Sequence, residues 1–404
     1  MTASFLTPWR CVAAAFALNG VFIGSWAARI PAVMARHGLD NGQLGLLFLL
    51  IGLGALASFT QAGGLADRLG AARVTRWCAL AYAVTLVAIG LAPSVWMLGL
   101  VLMLFGASHG AMDVTMNAWA SDVEKRLGRS AMSSIHAMWS FGAGAGAAGG
   151  YVASALGLSV AVHFAVIAVV WLGLAWPFIG PSASAVTAPE VKPGAETAKP
   201  QSARRRRQPV LALPRGALIL VGLIALSSGL GEGAMADWSA VYLRDVVGLE
   251  EARAALGYAL FSISMVSVRL VVDGAITRAG PVAVARVSAL TAALGILLVT
   301  GPATATSSFI GFVLMGAGYA ALIPLAFSRA ASDPHVPPGQ AIAAVSTLGY
   351  GAMLLGPPVI GQISELGSLR LAFALLGGFA VLVALLSPVL ARDMGARRAV
   401  AQDG

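Results

Sequence analysis

Three polar side chains, His109, Asp113 and Asn117, recur at i, i+4 and i+8, the spacing that stacks residues along one face of a helix. The sequence around them is apolar, and Met112 and Met116 flank the face they form. An ionisable group in such a run is costly to bury, so each one is a candidate for binding a solute, carrying a proton or closing a path. His136 lies in the next apolar run at a depth comparable to Asp113 on the preceding antiparallel one, so a His–Asp contact is geometrically allowed. Imidazole titrates near neutral pH, and the pair reads either as a protonation switch or as a hydrogen-bonded structural histidine. At the α-helical rise, Asp113 falls roughly 9 Å and Asn117 roughly 15 Å to the C-terminal side of the centre of the run 95–119. Asp113 thus reads as a proton or substrate site, or as a structural gate carboxylate. Glu232 and Asp237, five residues apart, point to different faces. Glu232 is the deeper of the two and a candidate for proton or cation handling, against a hydrogen bond in packing or in an outer gate. Asp237, beside Trp238, reads as a gate residue at the membrane interface, and His163 as an interfacial residue. Asn19, Gln61, Tyr319, Tyr350 and Gln362 are neutral candidates for hydrogen bonding a solute.

The elements that position these groups follow from composition. Of 404 residues 58% are hydrophobic and 11% charged, against a charged share of about a quarter in soluble domains. Apolar stretches of about 20 residues, enough to cross the hydrocarbon core, recur along the chain. Backbone facing lipid must bond internally, which makes the stretches helices. They are expected near 11–28, 43–62, 74–92, 95–119, 131–154, 160–179, 216–236, 254–272, 281–300, 305–328, 340–362 and 369–391. The 48 glycines suit close helix packing. Three regions result: a six-helix bundle over 1–180, a disordered linker over 181–212 rich in Ala, Pro and Ser with the run Arg204 to Arg207, and a second bundle over 213–404.

Placing the 26 Lys and Arg on either side of these spans puts five (Arg29, Arg36, Arg244, Arg253 and Arg370) on one side and the rest with the termini and linker. The positive-inside rule makes the latter side cytoplasmic, in an inner membrane. It also accounts for the net charge of +9 without a nucleic-acid partner. Trp9, Trp26, Trp77, Trp96, Trp119, Trp176 and Trp238 are expected at span ends, at headgroup level. Cys11 and Cys78 lie in apolar runs and read as packing residues. No Walker run binds a nucleotide, and the scattered histidines form no H-E-x-x-H metal motif. Neither a cofactor, a metal nor an enzymatic activity is expected.

The two halves resemble one another at an offset of about 210 residues: Gly106-Ala107 meets Gly316-Ala317, Gly146 meets Gly356, and Trp26 pairs with Trp238 at a similar offset. Two parallel six-helix repeats, with a site near midplane between them, is the layout of one large transporter class. After the second span, Gly63-Gly64-Leu65-Ala66-Asp67-Arg68-Leu69-Gly70-Ala71-Ala72-Arg73 resembles the G-x-L-a-D-r-x-G-r-[kr]-x-x loop signature of the major facilitator superfamily. A weaker echo runs from Asp273 to Arg278 and Gly280. The resemblance implies a secondary transporter with alternating access, and a cytoplasmic gate in which Gly64, Asp67, Arg68, Gly70 and Arg73 cluster with Asp122, Glu124 and Arg129. Trp26 to Pro31, Met112 to Asn117, Ile135 to Gly142 and Gly351 to Gly361 are similar to the fucose-permease-like branch. That similarity implies proton-coupled transport of a sugar or polyol; the protein is expected to act as a monomer. Glycine-rich span five reads as close packing, and an antiporter exporting a drug or metabolite, or a non-transporting sensor, stays open.

Overall fold

The computed structural model describes residues 6–127, 132–180, 214–336 and 338–391, and the described chain is almost wholly α-helical. The first half contains α1 (Pro8–His37), α2 (Asn41–Leu69), α3 (Ala71–Leu91), α4 (Val95–Leu127), α5 (Met132–Ala155) and α6 (Val160–Ile179). The second contains α7 (Ala217–Asp245), a short α8 (Glu251–Ala254), α9 (Leu256–Thr300), α10 (Ala305–Tyr319), α11 (Leu322–Ala331), α12 (Pro338–Leu366), α13 (Leu369–Leu386) and a closing 3-10 turn, Ser387–Leu390. The expected linker over 181–212 lies outside the described residues, as does Arg129.

Among the described residues ten helices are long and apolar enough to cross a membrane. One of them breaks at Gly280 (φ 80) into two crossings, and α5, whose Gly, Ser and His content dilutes its apolarity, completes the twelve. Local sequence explains where helices stop. α2 begins in a capping box of Asp40 and Gln43 and ends at Gly70, whose φ of 90 an L side chain resists. Gly280, 210 residues on, takes the same left-handed turn before Pro281.

The repeat carries through to packing. A Cβ added at Gly106 would lie 1.9 Å from the carbonyl oxygen of Ile51, and one at Gly316 would lie 2.3 Å from that of Phe261. Both the glycines and the carbonyls are 210 residues apart, so α2–α4 and α9–α10 make the same contact twice. Span five packs closely on α1, as its glycines suggest: a Cβ at Gly142 would meet Ala17 O at 2.1 Å, and one at Gly146 would meet Val21 O at 2.2 Å. The fold is an all-α integral membrane bundle of twelve crossings in two six-helix repeats. The halves meet along α1–α7, α2–α12 and α5–α9.

The helices outrun the apolar windows. Asp113 lies two residues past Ala111, the middle of α4, about 3 Å from the centre of that helix. Glu232 is next to Gly231, the middle of α7, and not towards its end. Asp67 and Arg68 stand on the last turn of α2, and Asp273 and Arg278 within the last two turns before Gly280, none of them in a loop. Trp77, Trp96 and Trp176 are exposed as an interfacial belt requires, but Trp26, Trp119 and Trp238 are buried in the protein. His163 is buried too, against Phe164, and is no interfacial residue.

Candidate functional site

One polar chain crosses from α4 to α5. Asn117 Nδ2 donates to the Asp113 backbone carbonyl at 2.9 Å and to Asp113 Oδ1 at 3.2 Å. His136 Nε2 lies 3.0 Å from Asn117 Oδ1 and, with the amide so oriented, is its donor. The expected His–Asp contact is therefore replaced by an amide spacer. An amide holds both partners in place but is a poor proton relay, so Asp113 and His136 are separate titratable positions. Aromatic rings set their orientation: Phe16 packs edge-on to His136 at 4.9 Å between centroids, and Tyr82 tilts against His109 at 5.4 Å. His109 stays on the same face but joins no hydrogen-bonded chain through its buried Nδ1. Asn19, fully buried on α1, accepts from Trp139 Nε1 at 2.8 Å, and its own Nδ2 has no partner.

Across the interface, Glu232 is held by two neighbours. Ser228 Oγ donates to Oε1 at 3.1 Å, and Arg269 Nη2 lies 3.4 Å from Oε2. Arg269 also donates from Nη1 to Ser140 Oγ at 3.1 Å, and its Nε lies 3.5 Å from the carbonyl oxygen of Ala320, where α10 gives way to α11. One guanidinium thus touches three helical elements and both halves. Sequence reasoning missed it, because the span drawn over 254–272 left Arg269 near a cytoplasmic end, among the positive-inside charges. With the crossing running from Leu256 to Gly280, Arg269 is beside Val268, its midpoint. The signal was the 210-residue offset of the two turn glycines. Tyr319 is buried against Gly231 with its hydroxyl unpartnered. The side chain of Tyr350 lies outside the described residues. Gln61 and Gln362 are exposed and Asp237 half-buried.

At the end holding the loops 38–40, 246–250 and 367–368, the halves are tied together. Arg29, buried on α1, pairs with Glu251 at 3.1 Å and donates to Ser154 Oγ and Leu158 O at 3.0 and 2.8 Å. Arg244 donates to Pro31 O at 2.7 Å. Glu365 Oε1 accepts from the amides of Asn41 and Gly42 at 3.0 and 3.3 Å, and Asn41 Nδ2 donates to Ser364 Oγ. An aromatic contact, Phe48–Trp238, also crosses between the halves, and Trp26 packs on Phe48 within the first half. Neither Glu251 nor Glu365 stands out in the sequence, since both occupy loop-like polar stretches. At the other end, Asp67, Arg68, Arg73, Asp122, Asp273 and Arg278 are exposed, and Glu124 Oε2 accepts from the Met132 amide at 2.8 Å. Among the described residues no three His, Cys, Asp or Glu side chains gather as a metal would need.

A family model described as Major Facilitator Superfamily matches residues 11–338. An uncharacterized transporter, y4wD, of Sinorhizobium fredii (strain NBRC 101917 / NGR234) is 52% identical over 388 residues, covering 95% of this chain and 98% of the relative. An uncharacterized MFS-type transporter of Yersinia pestis is 32% identical over 360 residues, 89% of each chain. Among solved structures, the nucleoside transporter NupG matches with a TM-score of 0.70 at 15% identity, over 95% of this chain and 99% of that one, a likeness of fold. Polar contacts between two six-helix repeats, a family match over most of the chain and relatives named as transporters agree: the chain belongs to the major facilitator superfamily of membrane transporters.

Proposed function

We propose that this transporter moves a small solute across an inner membrane by alternating access, coupled to protons. Its six-helix halves, residues 1–180 and 213–404, rock against each other as a monomer, with the 181–212 linker and both termini cytoplasmic. The observation that carries this reading is a pair of ionisable clusters within the apolar helices, Asp113 with Asn117 and His136 in one half and Glu232 with Arg269 in the other, beneath an end where the halves are tied. Buried ionisable groups in a membrane bundle are costly and mark solute or proton paths. In the proposed topology the tied end is the outer one, so the arrangement corresponds to a state facing the cytoplasm. The exposed signature residues Asp67, Arg68 and Arg73 then act at the opposite, cytoplasmic end, where they close the path in the other state. A sugar or polyol symporter is the form of this reading nearest the resemblance in the sequence. Purified protein in proteoliposomes, screened first by thermal shift for stabilising solutes, is expected to accumulate a hit only under an inward proton gradient. Accumulation of the same solute without a gradient would refute proton coupling.

A further inference from the structure

The Arg269 site carries more than a coupling role. Arginine has five donors in a planar fork suited to bidentate oxyanion binding. Here the fork is spread thinly: 3.1 Å to a neutral hydroxyl, 3.4 Å to one oxygen of Glu232 and 3.5 Å to a carbonyl. Arg29 at the tied end, by contrast, makes contacts of 2.8 to 3.1 Å. The two residues that anchor Arg269 each have, one position away, a contact with a buried donor that lacks an acceptor. Beside Ser140, Trp139 bonds Asn19, whose Nδ2 is unpartnered. Beside Glu232, Gly231 packs on Tyr319, whose hydroxyl is unpartnered. Tyr319 and Arg269 both act on Glu232, and that acceptor is held loosely, at 3.4 Å from the guanidinium.

We propose that Arg269 binds a carboxylate of the transported solute, in exchange for Glu232, with Asn19 and Tyr319 donating to the same solute. The inference rests on the transporter reading above and names its solute class: a small organic monoanion. Charge balance fixes the rest of the step. The resting pair is neutral, one guanidinium with one carboxylate. Bringing in a second carboxylate is accommodated by one proton added to Glu232, whose new O–H needs only an acceptor while the solute takes the fork. One anion and one proton then enter together, and the site stays neutral through the rocking motion. The other titratable or charged groups acting on this pair are Tyr258 on α9, Tyr319 on α10 and His136 on α5.

The test is a tryptophan-fluorescence titration of the purified protein with acetate, L-lactate, D-gluconate and benzoate. Each is set against its neutral counterpart (acetamide, propane-1,2-diol, D-glucitol and benzyl alcohol) at constant ionic strength. At least one acid is expected to bind wild type at least about tenfold tighter than its counterpart, and tighter still as pH falls from about 8 to about 6, because binding takes up a proton. Arg269→Gln should lose that preference. Glu232→Gln, which mimics the protonated acid, should bind at the higher pH as wild type does at the lower, with the pH dependence gone; this variant decides the matter should Arg269→Gln fail to fold. If no acid outbinds its counterpart, or if Arg269→Gln keeps the preference, the anion site is wrong. If acids bind but neither pH nor Glu232→Gln matters, the exchange with Glu232 is wrong. Accumulation of a neutral counterpart under a proton gradient would leave the transporter reading standing and remove the anion site alone.

Discussion

Single residues decide whether charge can sit at the centre of the membrane. Asp113 is steadied by one amide, which fixes its carboxylate without neutralising it. Asp113→Asn preserves that hydrogen-bonding geometry and removes the titration. With the coupled proton carried at Glu232, as inferred above, Asp113→Asn is expected to accumulate solute in proteoliposomes as wild type does. Loss of accumulation with downhill exchange kept, which needs binding and rocking but no net proton movement, would give the coupling role to Asp113. Asp113 and Glu232 were legible as candidates because an acid in an apolar run is conspicuous. Arg269 was not, since a basic residue near a span end has an ordinary explanation in the positive-inside rule. Only the true end of the crossing removes that explanation.

At the scale of helices, the count of twelve and the internal repeat were readable because both are written in periodic apolar runs and in glycines that recur in order. The lengths were not readable, since a window of hydropathy measures the part of a helix that lies in lipid and α4 continues past it to Leu127. That is why residues expected near ends turned out central. The paired contacts at Gly106 and Gly316 make the repeat testable. Any side chain there must displace backbone, and overpacking of this kind costs about 1–3 kcal/mol. Gly106→Val and Gly316→Val are each expected to lower the thermal midpoint of the purified protein, while Gly173→Val, with nothing within 4 Å of the added carbon, should leave it unchanged. Equal midpoints in all three would mean that the close approach of α2 to α4 and of α9 to α10 does not support the fold.

For the molecule as a whole, the balance between two states is set where the halves touch. Topology comes first: a cysteine placed at Asp40 should react with an impermeant reagent in intact cells, and one placed at Ser202 should not. The opposite pattern would invert the orientation. Next, Glu251→Gln removes the charge that Arg29 answers across the interface, a charged hydrogen bond worth about 1.5–3 kcal/mol. Distances between spin labels on α2 and α12 near the tied end should lengthen in a larger share of molecules; an unchanged distribution would show that the latch holds nothing. The cap on α2 has its own consequence. Asp40 serves the amide of Gln43 from within the same half, whereas Glu365 serves those of Asn41 and Gly42 from the other. Each time the halves part at this end, two amides lose their acceptor and the third keeps its own. Deuterium uptake at Asn41 and Gly42, measured against Gln43 as an internal reference, therefore becomes a label-free clock for the transport cycle, read from the backbone of the unmodified protein.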